Sequence, residues 1–230
     1  MPVAVITGSG RGIGKAIALE FVKNRYHVVL NARSDKELRK TEEEIREIGR
    51  RPLVVKGDVR DYDLRKKLIR QTVKRFGSID VLVNNAAVAW GGDFKHNSGT
   101  QIDSMIDVNL KALMHLTKDV LPVMMKQKSG IIINISSVAG KIAYPELAVY
   151  CGTKFGVIGF TEAVGAELKK TGIRVYSVCP TGTDTKMFRA LNPDSRAAHV
   201  PEDVAIEVMN IVKNPKKFRN GSAIDVRKHV

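Results

Sequence analysis

Residues 130–170 read GIIINISSVAGKIAYPELAVYCGTKFGVIGFTEAVGAELKK and predict a strand, a serine pair and a helix in succession. The apolar run 131–135 is short and β-branched, as in a buried strand of a parallel sheet. It ends at Ser136 and Ser137, and ligands of open α/β sheets bind beyond the carboxyl ends of the strands. A turn-rich connection and a helix over 149–170 follow. The segment therefore predicts one strand–helix unit with polar groups where chemistry is expected.

The predicted helix carries Tyr150 and Lys154, which lie four residues apart and so share one face. A nearby ammonium favours phenolate, so we expect Lys154 to lower the pKa of Tyr150. A tyrosine of that kind can exchange a proton near neutral pH, as a general acid or base must. The spacing alone is common, and an ordinary pair of interfacial residues is the alternative.

Composition favours a single globular α/β domain spanning residues 1–230, with 43% hydrophobic and 27% charged residues. No apolar run approaches the ~18 residues of a transmembrane helix, and an apolar strand from residue 3 leaves no room for the charged start of a signal peptide. Cys151 and Cys179 form no disulfide framework. We expect a cytoplasmic protein without membrane contact.

The net charge of +14 suggests either nucleic acid or another acidic partner. Basic residues nevertheless alternate with glutamates, as in KELRKTEEEIREIGRR at 36–51, and no nucleic-acid module surrounds the basic cluster at 213–219. A solvated basic surface without nucleic-acid binding is the favoured interpretation. Part of the charge suits an anionic cofactor or substrate.

The apolar run 3–7 leads directly into the glycine-rich sequence GSGRGIG at 8–14 and then a helical pattern. A strand, a glycine turn and a helix N-terminus together bind phosphate through free N–H groups and the helix dipole. A second strand over 27–31 is followed by Arg33, where an acid would select NAD and an arginine accommodates the 2′-phosphate of NADP. Arg11 would supply a second cation, so we predict NADP(H); the alternative is that both arginines face solvent.

The sequence Thr7-Gly8-Ser9-Gly10-Arg11-Gly12-Ile13-Gly14 resembles the T-G-x-x-x-G-I-G motif of the short-chain dehydrogenase/reductase family. Similar motifs continue in the family's order over roughly residues 2–227. They comprise Asp58-Val59, Asn84-Asn85-Ala86, Asn109, Ser137 at 13 residues before Tyr150, Tyr150-x-x-x-Lys154, and Pro180 with Thr185. Each motif is weak by itself, whereas the ordered set is specific.

The resemblance implies reversible hydride transfer between a nicotinamide and a carbonyl or secondary alcohol. Ser137 would orient the carbonyl and Tyr150 would donate the proton. Lys154 would hold the ribose and lower the Tyr150 pKa, and Asn109, at a helix kink, would hold a water of the proton relay. The implied cofactor-binding residues are Gly8, Ser9, Gly10, Arg11, Gly12, Ile13, Gly14, Arg33, Ser34, Asp58, Val59, Asn85, Ala86, Tyr150, Lys154, Pro180, Thr183 and Thr185.

The chain departs from the family pattern at Ala87 and Thr181, which replace glycines, and in its ending Asp225-Val226-Arg227. Residues 186–200 are predicted to be a short polar loop where larger relatives carry a helical substrate lid. The short loop and the altered ending favour a small ketone, aldehyde or hydroxy-acid substrate. One alternative is a 3-oxoacyl-[acyl-carrier-protein] reductase, whose acidic carrier could dock on the basic surface. Another is a non-catalytic protein that senses NADP(H) or acts as a scaffold.

Strands that alternate with helices predict a Rossmann-type doubly wound parallel sheet with helices on both faces. Ser34 and Glu37 predict a capping box at the start of the helix after the second strand. Relatives are usually homodimers or homotetramers joined through the helices predicted here at 101–126 and 149–170, and a glycine stripe at 152, 156 and 159 fits such a contact. No metal site is expected, because the histidines have no ligand spacing: His27, His96, His115, His199 and His229.

Overall fold

The central sheet has seven parallel strands in the computed structural model, which describes residues 1–228. The strands are β1 Val3–Thr7, β2 His27–Asn31, β3 Leu53–Val54, β4 Val81–Asn84, β5 Gly130–Ile135, β6 Ile173–Cys179 and β7 Ala223–Asp225. Their spatial order is β3-β2-β1-β4-β5-β6-β7. The order reverses beside β1, and a crevice opens at such a switch point beyond the carboxyl ends of the strands.

Helices cross over between successive strands on both faces of the sheet. They are α1 Gly12–Lys23, α2 Asp35–Glu47, α3 Tyr62–Phe76, α4 Gly99–Ile106, α5 Ala112–Gln127, α6 Ala148–Glu167, α7 Lys186–Leu191 and α8 Pro201–Lys213. Alternate residues of a strand face opposite sides. Ile6 of β1 accordingly packs with Phe21 of α1 and Val208 of α8, whereas Val5 packs with Leu116 of α5. The predicted Rossmann-type doubly wound sheet is confirmed.

The helix predicted over 101–126 consists of three segments. It begins at Gly99, because Ser98 and Gln101 form a capping box. A π-helical turn, Asp107–Lys111, then separates α4 from α5. Such a turn inserts an extra residue and is frequent at functional sites. It turns Asn109 into the protein, where that side chain is buried.

The segment 186–200 was predicted to be a loop, and this prediction is wrong for its first six residues, which form α7. The Thr185 hydroxyl caps this helix by accepting a hydrogen bond from the Phe188 amide at 3.2 Å. An ion pair from Asp184 to Arg189, at 2.6 Å, closes the same turn. Residues 192–200 return to α8 without further helix.

A buried amide pair ties the two central strands to the helices that cover them. Asn84 at the end of β4 donates to Asn134 of β5 at 2.9 Å and to Thr117 of α5 at 3.1 Å. Asn134 in turn donates to Thr161 of α6 at 2.9 Å. Because buried polar groups are costly when unpaired, this chain of hydrogen bonds fixes α5 and α6 against the sheet directly below the expected site.

Candidate active site

The glycine-rich turn between β1 and α1 forms one end of a cleft of about 880 Å³ at the carboxyl edge of the sheet. Gly8 and Gly12 have φ values of 64° and 53°, which favour glycine. Gly14 allows close packing, since a Cβ there would lie 2.3 Å from the Gly8 carbonyl oxygen. Gly8, Gly10 and Gly12 thus present backbone without side chains to the cleft beside the start of α1, as a phosphate site requires.

Most of the predicted site residues line this single cleft. They are Gly8, Gly10, Arg11, Gly12, Ile13, Arg33, Ser34, Asp58, Val59, Asn85, Ala86, Ser137, Tyr150, Lys154, Pro180, Thr183 and Thr185. Ser9, Gly14 and Asn109 are not among the lining residues. The structure places these three behind the wall of the cleft, where they support it.

Ser9 and Asn85 hold the glycine turn in place. The Ser9 hydroxyl is buried and accepts a hydrogen bond from the Asn31 amide at 3.0 Å. The Asn85 side chain donates to the carbonyl oxygens of Thr7, at 2.9 Å, and Gly8, at 3.2 Å. These bonds join the ends of β1, β2 and β4, so the turn is braced from both sides.

Ser137, Tyr150 and Lys154 meet where β5 ends and α6 begins. The Ser137 hydroxyl lies near the Tyr150 phenol and favours its ionised form. The Lys154 Nζ lies 5.5 Å from the centre of the Tyr150 ring and donates to the Ile135 carbonyl oxygen at 2.8 Å. All three residues line the cleft, so a hydroxyl, a phenol and an amine face one space.

The pKa values of this group differ from the prediction. Burial raises the pKa of Tyr150 to about 12, and the nearby Ser137 hydroxyl opposes only part of that rise. Burial also lowers the pKa of Lys154 to about 8. The prediction that Lys154 lowers the Tyr150 pKa is therefore wrong in this structure, because desolvation of the phenol dominates.

Asn109 does not reach the cleft, because both ends of its amide bind the loop after β4. Its Oδ1 accepts from the Val88 amide and its Nδ2 donates to the Val88 carbonyl, both at 2.8 Å. Nδ2 also lies 3.3 Å from the Thr153 hydroxyl on α6. Asn109 thus links the π-helical turn to a wall residue of the cleft and to the helix of Tyr150.

The two arginines predicted at the 2′-phosphate both line the cleft, each near a carboxylate. Arg11 pairs with Glu37 at 2.9 Å, and Arg33 lies 3.8 Å from Asp58. Asp58 also binds Arg60, at 2.8 Å. Half of the predicted capping box is present, since the Ser34 hydroxyl accepts from the Glu37 amide. The other half is wrong, because the Glu37 carboxylate reaches Arg11 instead of returning to Ser34.

The segment after β6 forms the remaining wall. The Pro180 carbonyl accepts from the Val138 amide at 2.9 Å, which ties this segment to the serine turn. Thr183 is buried, and its hydroxyl donates to the Thr181 carbonyl at 3.1 Å. The Thr185 hydroxyl caps α7 and so holds the cleft end of that helix.

Comparison with known proteins identifies the family. Residues 2–196 match the model of the short chain dehydrogenases. The chain belongs to this family. It is 34% identical over 234 residues to a 3-oxoacyl-[acyl-carrier-protein] reductase of Staphylococcus aureus, covering 97% of this chain and 95% of the relative. An uncharacterised oxidoreductase of the same species is 34% identical over 225 residues, covering 98% and 96%.

Solved structures agree with the family assignment. A single-substitution variant of actinorhodin polyketide ketoreductase, solved with NADPH, superposes with a TM-score of 0.92 at 31% identity, covering 98% of this chain and 95% of that one. Levodione reductase shares the fold, with a TM-score of 0.90, 23% identity and coverage of 97% and 95%. The protein is therefore an oxidoreductase of the short chain dehydrogenase family.

Several residues of this dehydrogenase cleft were not predicted. Glu37 was predicted to cap α2, whereas its carboxylate pairs with Arg11, which precedes a different helix, α1. Leu147 and Leu191 both approach Gly91, where a Cβ would lie 3.7 Å and 3.2 Å from them, so they close the catalytic end with an apolar wall. Only the apolar character of these two leucines could have suggested them.

Neither a metal site nor a membrane span was found in the described part of this dehydrogenase. Among residues 1–228, no group of three or more His, Cys, Asp or Glu side chains is arranged to hold a metal ion. His229 lies outside the described residues. Within the same range, no helix has the length and apolarity needed to cross a bilayer.

Proposed function

We propose that this chain transfers a hydride between NADP(H) and a ketone or secondary alcohol. The observation that carries the proposal is the convergence of Ser137, Tyr150 and Lys154 on the wall of the cleft that starts at the glycine turn. The actinorhodin polyketide ketoreductase structure contains NADPH, and that neighbour supports the choice of coenzyme. NADP(H), when bound, supplies or accepts the hydride.

The residues of the cleft suit this coenzyme. The wall at Gly8, Gly10 and Gly12 has no side chains and adjoins the N-terminus of α1, as a pyrophosphate requires. Side chains are excluded at Gly10, because a Cβ there would lie 2.9 Å from the Glu37 Cβ. Arg11 and Arg33 supply the cations that a 2′-phosphate needs.

In the proposed mechanism the Ser137 hydroxyl binds and orients the carbonyl oxygen of the substrate. The Tyr150 phenol, which is protonated at neutral pH, donates its proton to that oxygen as the alcohol forms. Lys154 holds the ribose hydroxyls with an ammonium that is already fixed in direction by the Ile135 carbonyl. Asn109 keeps the Val88 backbone in place. We also propose that Asn109 holds a water molecule of the proton relay.

The substrate proposal begins with a small ketone, aldehyde or hydroxy acid, as the short connection over 192–200 suggests. A second candidate is a 3-oxoacyl thioester, favoured by relatives named 3-oxoacyl-[acyl-carrier-protein] reductase. The apolar wall of Leu147 and Leu191 would accept an acyl chain. Turnover of a carrier-bound 3-oxoacyl group well above that of its pantetheine thioester would favour the second candidate.

We also propose a homodimer or homotetramer that uses α4, α5 and α6. Phe155 and Ile106 are 44% and 42% exposed. Gly152 and Gly159 have nothing within 4 Å of a Cβ position, so another backbone could approach α6 there. Light scattering should give a multiple of the chain mass, reduced by Phe155→Glu. Tyr62→Glu, at an exposed position of α3, should leave the mass unchanged.

The decisive experiment measures oxidation of NADPH and NADH with a panel of ketones, aldehydes, 3-oxo acids and an acyl-carrier thioester. Tyr150→Phe should reduce kcat by about 10²- to 10⁴-fold, since it removes the proton donor. Tyr144→Phe removes another phenol that lines the cleft and should change kcat less than about tenfold. Full turnover by Tyr150→Phe would contradict the mechanism, and NADPH binding without turnover of any substrate would favour a sensor or scaffold.

A further inference from the structure

The mouth of the coenzyme cleft holds a cation and an acid side by side. Arg11 precedes α1, and Glu37 lies in the first turn of α2, with 2.9 Å between guanidinium and carboxylate. Both side chains line the cleft and both are partly exposed, at 54% and 34%. The pair can therefore offer a ligand either a positive donor or a negative acceptor.

The backbone holds Glu37 at this place. A Cβ on Gly10 would lie 2.9 Å from the Glu37 Cβ, so α2 rests directly on the glycine turn. The Thr41 hydroxyl, one helical turn further along, lies 3.2 Å from the carbonyl oxygens of both Gly10 and Glu37. The first turn of α2 and the glycine turn are thus joined, and the Glu37 carboxylate is held at the mouth of the cleft.

The charge of Arg33 is less completely neutralised than that of Arg11. Its neighbour Asp58 already binds Arg60 through both carboxylate oxygens, at 2.8–3.2 Å, and lies 3.8 Å from Arg33. Asp58 is therefore largely satisfied by Arg60, and the positive charge of Arg33 stays available. Glu37 pairs with Arg11 alone and is therefore the acid that opposes the charge of that arginine.

We infer that Glu37 sets the choice between NADPH and NADH, an inference that rests on the proposed function. A carboxylate near the adenosine ribose accepts a hydrogen bond from the free 2′-hydroxyl of NADH. The same carboxylate repels the 2′-phosphate of NADPH and competes with it for Arg11. Glu37 thus limits a preference for NADPH that Arg11 and Arg33 create, and it permits NADH to bind.

Coenzyme binding to Glu37→Gln tests this inference without any substrate. The nicotinamide fluorescence of NADPH and NADH, titrated at low salt, gives Kd for each. The amide keeps the size of the side chain and removes its charge, so NADPH should bind roughly 5- to 20-fold more tightly, as expected for screened charges a few ångström apart. NADH should bind more weakly, and the gain for NADPH should shrink as salt rises.

Glu42→Gln is the matched control, because Glu42 also lies on α2 and pairs with a cation of the same helix, Arg46. Its Kd ratio for the two coenzymes should stay within about twofold of the unaltered chain, since neither Glu42 nor Arg46 lines the cleft. An unchanged ratio in Glu37→Gln, with normal coenzyme binding by the unaltered chain, would overturn the inference alone. Failure of the unaltered chain to bind either coenzyme would overturn the proposed function as well.

Discussion

Lys154 donates a 2.8 Å hydrogen bond to the carbonyl oxygen of Ile135, the last residue of β5. The bond fixes the ammonium at the base of the cleft, and its nitrogen lies 5.5 Å from the centre of the Tyr150 ring. Burial gives these two groups opposite shifts: the pKa of Lys154 falls to about 8, and that of Tyr150 rises to about 12. The lysine, not the tyrosine, therefore loses its proton first as pH rises.

This order predicts the pH profile of carbonyl reduction. The value of kcat/KM, which reports the free enzyme, should be level below about pH 8 and fall above it, because Lys154 loses the charge that we propose binds the ribose. Tyr150 stays protonated throughout this range. The Kd of the Tyr150→Phe variant for NADPH should rise above the same pH, since this variant keeps Lys154. An NADPH affinity for that variant that is constant to pH 10 would contradict the assignment to Lys154.

The burial of charged Lys154 should lower the free energy of unfolding at neutral pH. Its ordinary pKa of 10.5 falls to about 8 in the folded state, so between these values the unfolded chain binds more protons and stability rises with pH. Below about pH 8 the full cost, at most about 3.4 kcal/mol, is present. Lys154→Met should raise the free energy of unfolding at pH 7 by about 1–2 kcal/mol, after allowance for the lost hydrogen bond.

Denaturant unfolding at two pH values tests this prediction. The advantage of Lys154→Met should shrink as pH approaches 10.5, where the unfolded lysine also becomes neutral. Lys141→Met is a suitable comparison, since Lys141 is more exposed and binds Asp225 at the surface. A Lys154→Met protein that is less stable than the unaltered chain at pH 7 would contradict the expected cost of burial.

The strands of the fold could be predicted because each is set by a short apolar run in the sequence. The bounds of β1 and β2 match the sequence prediction. Most of the motif residues also line one cleft, because the carboxyl ends of parallel strands share an edge. The sequence therefore sufficed for the architecture and for most of the residues that line the cleft.

Contacts between elements decided what the sequence could not show. Glu37 fits a local capping pattern, yet its carboxylate binds Arg11, 26 residues away. The Tyr150 pKa was predicted from its neighbour on the helix, whereas tertiary burial controls it. Helix α7 was missed because its stability comes from Thr185 and Asp184, which cap and brace only six residues.

Asn109 should act by positioning the loop at Val88. Asn109→Ala removes both backbone hydrogen bonds to Val88, each 2.8 Å long, and should lower the free energy of unfolding by about 2 kcal/mol. It should also lower kcat, since Val88 lines the cleft. Thr153→Val leaves the Val88 contacts of Asn109 in place. It removes the weaker contact of Thr153 with Asn109, at 3.3 Å, and the bond of Thr153 to the Tyr150 carbonyl.

Unfolding and kcat measured on both variants separate the two roles. Thr153→Val should cost less than Asn109→Ala in kcat, because Val88 keeps its partner. Equal losses of kcat would place the effect in α6, which both variants disturb, and would contradict a role through Val88.

Arg65 should support the coenzyme site from below. Its buried guanidinium donates to the carbonyl oxygens of Val59, at 3.0 Å, and Arg60, at 2.8 Å, and pairs with Asp119 of α5 at 3.0 Å. Arg65→Met leaves both carbonyls and a carboxylate without this donor. The free energy of unfolding should fall by about 3 kcal/mol, as for other broken buried ion pairs.

Lys66→Met provides the matched control, because Lys66 pairs with the same Asp119, at 3.4 Å, while its side chain is 50% exposed. Exposed ion pairs contribute ~1 kcal/mol or less, so this variant should unfold almost like the unaltered chain.

Arg65→Met should also weaken NADPH binding, since Val59 and Asp58 border the cleft on the segment that Arg65 holds. Equal stability of the two variants would show that the carbonyl contacts of Arg65 contribute nothing.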